Sequence, residues 1–182
     1  MTSHGDHGPS TAVLGLGNVL MGDDALGPTV IAILTARYRF PGAVRVEDLG
    51  TPGLDLHPHL VGAEQLIIVD TVRADGDPGE LRLYDREALL RKPPPARTGP
   101  HDPSLKEALL SLQFAGSEPA VLLVGVVPLT TENGTDLSPG VASAVEPAVA
   151  AVLEKLAALG HEVTALDPPE APDLWWQKPP GI

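Results

Sequence analysis

Two patterns of apolar residues alternate along this chain. Short continuous apolar runs, typical of strands covered on both faces, alternate with longer segments in which apolar residues recur every three or four positions, as in a packed helix. The clearest strand is Leu66-Ile67-Ile68-Val69, which Asp70 closes. The pattern predicts strands at 12–16, 44–48, 66–70, 79–84, 120–127 and 161–166. It predicts helices or helical turns at 26–39, 54–60, 85–90, 102–114 and 139–159.

This alternation of strands and helices predicts an α/β fold. We expect a three-layer α/β/α sandwich, with a mostly parallel twisted sheet of about five strands and helices on both faces. Residues 11–167 are predicted to form a single α/β domain after a flexible leader at 1–10. The tail at 168–182 is rich in proline and contains Trp175 and Trp176, which we expect to pack across the core.

Composition excludes several classes of protein. A formal net charge of −12 argues against nucleic acid as a partner, because each phosphate contact needs a lysine or arginine. The absence of cysteine excludes disulfides, thiolate metal sites and a cysteine nucleophile, and it agrees with a cytoplasmic location. No apolar run reaches the length of a membrane span, and the polar leader does not resemble a signal peptide.

Acidic residues stand at the ends of three predicted strands. The first strand leads through a glycine turn to Asp23-Asp24, the second ends at Glu47-Asp48 and the third at Asp70. A single acid in such a place is usually a helix cap or turn residue, and Asp23 or Asp24 is suitably placed to cap the following helix. In a parallel sheet, however, all three groups lie on one rim, where like charges require a cation or a shared proton. The pattern therefore favours a metal or a positively charged ligand at this rim.

Among the histidines, His101 is the candidate for joining these acids. It ends a rigid proline-rich loop directly before a predicted helix, so the loop can deliver it over the rim. Aspartate and histidine are ordinary ligands of divalent metals such as zinc and nickel. His57 and His59 lie two residues apart and would not share a helix face, so ordinary surface positions are expected for them.

The glycine turn does not indicate a nucleotide site. After Gly15 and Gly17, the dinucleotide fingerprint needs glycine or alanine at the position that Leu20 occupies. Walker and Gly-x-Ser-x-Gly motifs are absent from the sequence. Peptidyl-tRNA hydrolases also begin with a strand and a Gly-Leu-Gly-Asn turn, but their early catalytic histidine has no counterpart between His7 and His57.

Four motifs in order resemble the hydrogenase maturation endopeptidases. They are the stretch from Gly15 to Gly27, Asp48-Leu49-Gly50-Thr51, Ile67-Ile68-Val69-Asp70 and Gly99-Pro100-His101. The resemblance covers roughly residues 12–165 and includes Leu122–Pro128 and Leu137-Ser138-Pro139. This family trims the C-terminal extension from the large subunit of nickel–iron hydrogenase.

The resemblance implies roles for individual residues. Its three metal-contacting and catalytic positions fall on Asp24, Asp70 and His101, and the first of them is often glutamate in relatives. Its second acidic element, which is linked to substrate handling, falls on Asp48, Gly50 and Thr51.

The resemblance also implies a substrate. Nickel is expected to arrive with the large-subunit precursor, and the protease, expected to be a monomer, recognises the metal before cleavage. Whether a metal-activated water attacks, or a carboxylate acts as base while nickel serves only for recognition, stays open. The alternative is an α/β module that binds a metal or another ligand without cutting.

Overall fold

The computed structural model describes residues 10–92 and 105–178, except for the side chain of Leu54. A five-stranded sheet has the order β3-β1-β4-β6-β5, in which β5 alone runs antiparallel to its neighbour. The strands are β1 (Thr11–Leu16), β2 (Tyr38–Arg39), β3 (Val44–Gly50), β4 (Gln65–Thr71), β5 (Leu81–Asp85), β6 (Ala120–Val126) and β7 (Thr164–Ala165). The helices are α1 (Leu26–Arg37), α2 (Leu56–Leu60), α3 (Arg86–Arg91), α4 (Leu105–Phe114) and α5 (Pro139–Ala158).

Helices cover both faces of this sheet, as the sequence predicted. Alternate residues of a strand point to opposite faces, so Val13 packs with α1 and α5 while its neighbour Leu14 packs with α2 and α4. In the same way Ile67 and Ile68 of β4 are divided between the two apolar clusters. The central strands are therefore apolar on both sides, and this explains their continuous apolar runs.

Two glycines bring the start of α1 close to the end of β1. A Cβ at Gly27 would overlap the backbone of Leu16, and one at Gly17, where φ is +141°, would overlap the carbonyl oxygen of Asp24. Only glycine allows this approach. Between β1 and α1, residues Gly22–Ala25 form a short 3₁₀ turn that holds both aspartates.

Several element ends differ from the sequence prediction. Helix α1 stops at Arg37, because Tyr38–Arg39 becomes extended and pairs antiparallel with Thr164–Ala165 in a separate small sheet. The predicted final strand is thus two residues long and starts after His161. Strands β3 and β4 continue to Gly50 and Thr71, past the acids that were expected to end them. The predicted start of α4, at 102–104, lies outside the described residues.

The segment after β7 folds back on the domain. The backbone N–H groups of Leu166 and Glu170 donate to carbonyl oxygens at the end of α1, those of Arg37 and Ala36 respectively. Trp176 is buried as expected, but Trp175 is 59% exposed. The described residues contain no helix long and apolar enough to span a membrane.

Candidate functional site

The carboxyl ends of β3, β1 and β4 lie side by side, as the rim argument requires. Asp48 is level with Gly15 of β1, and Gly15 is level with Val69 of β4. Glu47 does not belong to this rim. It lies inside β3 beside Leu14, and its carboxylate pairs with Arg45 at 3.1 Å.

A cavity of about 180 Å³ opens at this rim. Six of its eight described lining residues have polar side chains, although most of the lining surface itself is apolar. The six include one predicted metal contact and one predicted substrate contact. The lining residues are Asn18, Met21, Asp24, Thr51, Thr71, Arg73, Pro128 and Thr131.

Asp24 places a buried carboxylate on the cavity wall. Its Oδ2 accepts a hydrogen bond from the backbone N–H of Asn18 at 2.7 Å, and its Oδ1 accepts one from the Thr71 hydroxyl at 3.0 Å. It is not the N-cap of the following helix, because Ala25 occupies that position, so the capping prediction is wrong for this residue. These two hydrogen bonds fix the orientation of the carboxylate on the cavity wall.

Asp23, the neighbouring acid, is not among the described residues that line the cavity. Its side chain is fully buried and accepts hydrogen bonds from the backbone N–H groups of Leu129, Thr130 and Ser138, at 2.8, 3.1 and 2.6 Å. The Ser138 hydroxyl donates a fourth, at 2.9 Å. Asp23 therefore fastens residues 128–138, here called the clasp loop, to the turn between β1 and α1.

The partners of Asp23 also change the expected role of Ser138. This residue occupies the N-cap position of α5, as predicted, but it makes no side-chain cap because its hydroxyl donates to Asp23. Backbone contacts reinforce the same junction, since Gly134 donates to Leu20 and accepts from Gly22. Neither aspartate of the pair is a helix cap.

The other predicted site residues take different positions. Asp70 is half-buried in β4, level with Gly125 of β6, and directly precedes Thr71. Asp48 is exposed, and its Oδ1 accepts from the N–H of Gly50 at 2.9 Å. The carbonyl of Gly50 in turn accepts from Gly17 at 2.8 Å. These two bonds fix the turn that leads to Thr51 on the cavity wall.

His101 lies outside the described residues, so its place beside the two carboxylates stays a prediction. Within residues 10–92 and 105–178, no three side chains from histidine, aspartate, glutamate and cysteine are grouped closely enough to hold a metal ion. The described part of the chain thus offers at most two of the three predicted ligands, those of Asp24 and Asp70.

Sequence reasoning missed several cavity residues. Thr71 and Arg73 were detectable in principle, because alternate positions after a strand share a face and Thr71 directly follows the predicted acid Asp70. Pro128 and Thr131 belong to the clasp loop, which is distant in sequence from the rest of the rim. No local signal places that loop at the cavity.

Comparison with known proteins identifies the family. The sequence profile of the hydrogenase maturation protease family matches residues 28–155. Hydrogenase 2 maturation protease of Escherichia coli is 36% identical over 155 residues, covering 82% of this chain and 92% of the relative. HoxM, a hydrogenase expression/formation protein of Azotobacter vinelandii, is 35% identical over 161 residues, covering 87% of this chain and 78% of the relative.

A solved structure gives the same result. The hydrogenase maturating endopeptidase HybD from E. coli superimposes with a TM-score of 0.78 and 33% identity, covering 87% of this chain and 98% of that one. Family profile, sequence relatives and fold agree with the motifs that lie around the cavity. The chain is a peptidase that belongs to the hydrogenase maturation protease family.

Proposed function

We propose that this peptidase removes the C-terminal extension of a nickel-loaded large-subunit precursor of nickel–iron hydrogenase. In this proposal Asp24, Asp70 and His101 contact nickel that the substrate carries. Membership of the family and similarity to the hydrogenase 2 maturation protease of E. coli support the reaction class. The position of the Asp24 carboxylate supports its place in the site.

The position of Asp24 is the observation that carries the proposal. A buried carboxylate is costly unless it is hydrogen-bonded or paired with a cation. Asn18 and Thr71 hold this one against the cavity wall. Carboxylate and imidazole groups suit a divalent metal such as nickel, and a shared ion would complete its coordination with ligands from the precursor.

The chain's own residues have defined tasks in the cleavage. Nickel bound in the precursor would supply a cation close to the bond that is cut. One carboxylate of the Asp24 and Asp70 pair takes a proton from the attacking water and returns it to the leaving amine as the peptide C–N bond breaks. His101, expected to enter from the loop before α4, would hold the ion against the rim.

Asp48, Gly50 and Thr51 are proposed to bind the substrate peptide. Thr51 lines the cavity and offers a hydroxyl group to an extended chain. Asp48 and Gly50 act through the turn itself, because the Asp48 carboxylate binds the Gly50 N–H while the Gly50 carbonyl accepts from Gly17. This turn keeps Thr51 beside the opening of the cavity.

The test uses the purified chain and a large-subunit precursor with and without nickel. The expected result is loss of mass at the precursor's C-terminus only when nickel is present. Asp70→Asn and His101→Ala should each slow processing about a hundredfold or more. The matched controls are Asp55→Asn, at an exposed position, and His161→Ala, and both should stay within about twofold of the wild type.

Two outcomes would contradict the proposal in different ways. Full-rate processing by Asp70→Asn or His101→Ala would show that the residue is not part of the site, while the proposed reaction would still stand. If the wild-type chain binds the nickel-loaded precursor without shortening it, the chain is instead a binding module that does not cleave.

A further inference from the structure

The end of β4 directs an arginine toward the cavity. Thr71 lines the cavity and donates to Asp24, and Arg73 follows it two positions later. Val72, between them, is buried on the opposite side among the residues that pack with α2 and α4. Because alternate residues of an extended segment share a face, Arg73 reaches the same cavity as Thr71, and it is one of the lining residues.

Arg73 differs from most other arginines of the described chain. Arg37, Arg45, Arg82 and Arg91 each pair with a glutamate. Within the described residues Arg73 has no ion pair and no hydrogen bond, although the chain contains 24 acidic against 12 basic residues. An exposed guanidinium in so acidic a protein is available to an external acceptor.

The charge around the cavity determines what that acceptor can be. Asp24 lies on the wall and Asp70 belongs to the same rim, so a negatively charged group of a substrate meets repulsion there. Arg73 adds a positive charge to the lining. A planar guanidinium binds a carboxylate through two parallel hydrogen bonds, a geometry that lysine cannot reproduce.

We propose that Arg73 is a specificity-determining residue that binds a carboxylate of the precursor close to the bond that is cut. This inference rests on the proposed function, since it concerns the same cavity and substrate. The carboxylate is either an aspartate or glutamate side chain of the precursor's C-terminal segment or the terminal carboxylate of the extension. Arg73 favours precursors that carry such a group, because its positive charge offsets the repulsion between that group and the carboxylates of the rim.

The first test is the concentration dependence of precursor processing by Arg73→Gln. A lost charge-assisted hydrogen bond predicts an increase in KM of about tenfold, with kcat changed by less than about twofold. Arg73→Lys should recover only part of this loss, because it keeps the charge and loses the paired geometry. The control is Arg39→Gln, which removes an exposed arginine of the small β2–β7 sheet and should leave KM unchanged.

The second test identifies the carboxylate through altered precursors. In the first set, each acidic residue near the cleavage site is changed to its amide. In the second set, three glycines are added at the C-terminus of the precursor to move its terminal carboxylate. One of these precursors should raise KM with the wild-type enzyme about as much as Arg73→Gln does. The same precursor should show no further increase with Arg73→Gln, because both changes remove one interaction.

The outcomes separate this inference from the proposed function. If the wild type leaves the nickel-loaded precursor uncut, the proposed function is wrong and this inference falls with it. If the wild type cuts and Arg73→Gln has an unchanged KM, the inference alone is overturned. It is equally overturned if Arg73→Gln raises KM by the same factor for every precursor, since no carboxylate is then its partner.

Discussion

Asp23 and Asp24 are neighbours in sequence and both are buried, yet they lie in two different regions of the molecule. The carboxylate of Asp23 accepts four hydrogen bonds, all from the clasp loop and the start of α5. The carboxylate of Asp24 accepts bonds from Asn18 and Thr71 and lines the cavity. Consecutive residues of a tight 3₁₀ turn point in different directions, so one pair of acids serves both regions.

The difference shows that identical side chains can have different roles when their hydrogen-bond partners differ. Burial of a carboxylate is tolerated when enough donors surround it. Four donors within one loop bind Asp23 into the structure, and this suits a residue that holds two segments together. The donors from Asn18 and Thr71 hold the Asp24 carboxylate on the cavity wall, where a ligand could reach it. We therefore expect loss of Asp23 to act on stability and loss of Asp24 to act on processing.

Asp24→Asn should give the largest effect of the comparison. The amide nearly preserves the shape but removes the charge that would contact the substrate's nickel or accept a proton, so we expect processing to fall about a thousandfold. The free energy of unfolding should change by less than for Asp23→Asn, since the amide can still accept from Asn18 and donate to the Thr71 hydroxyl. The mass of the precursor measures processing, and urea unfolding measures stability. A large loss of stability with little loss of processing would contradict the comparison.

Asp23→Asn should show the reverse pattern. An amide has one acceptor oxygen, and its NH₂ group would face a backbone N–H of the clasp loop, so we expect a loss of about 3 kcal/mol in stability. Processing per folded molecule should fall by less than about tenfold, because the clasp loop contributes only part of the cavity wall. Urea unfolding measures the stability, and the processing rate is corrected for the fraction of folded protein. Unchanged stability would contradict the role of Asp23 in holding the clasp loop.

Thr71→Val tests the positioning of Asp24 more gently. It keeps the shape of the side chain and removes the hydroxyl that donates to Oδ1, so we expect processing to fall about tenfold. Thr71→Ser keeps the hydroxyl and should stay within about threefold of the wild type. Equal losses in the two variants would indicate that packing, and not the hydrogen bond, is what matters.

Ser138→Ala should have the smallest effect. It removes one of the four donors to Asp23 and leaves the three backbone donors in place, so we expect about 1 kcal/mol of destabilisation. Processing should be unchanged. A loss of activity without a loss of stability would place Ser138 in the cleavage reaction and would contradict its assignment to the clasp.

Much of the fold was readable from sequence because its signals are local. Continuous apolar runs marked the central strands, and alternation with helices predicted the three layers and the parallel core of the sheet. The pairing of Tyr38–Arg39 with Thr164–Ala165 was missed, since two short polar segments more than 120 residues apart carry no periodic pattern. The sequence also did not reveal that β5 is antiparallel.

Only part of the site could be predicted from the sequence. The glycine turn and the strand-end acids brought Asp24 and Asp70 to one rim, and the family resemblance separated Asp24 from Asp23. The clasp could not be foreseen, because Asp23 binds residues 106 to 115 positions away. Thr71 and Arg73 follow directly after a predicted acid, so attention to alternation beyond the strand end would have found both.

We propose that Asp24 acts on the substrate, whereas Asp23 holds the clasp loop in place. The most direct test of this proposal is the rate of nickel-dependent processing by Asp24→Asn relative to that by Asp23→Asn, each per folded molecule at a temperature where both are folded. The comparison predicts a ratio below about one hundredth, because of the two aspartates only Asp24 lines the cavity. A ratio of one or more would show that Asp23 matters as much as Asp24 for cleavage and would contradict this division of roles.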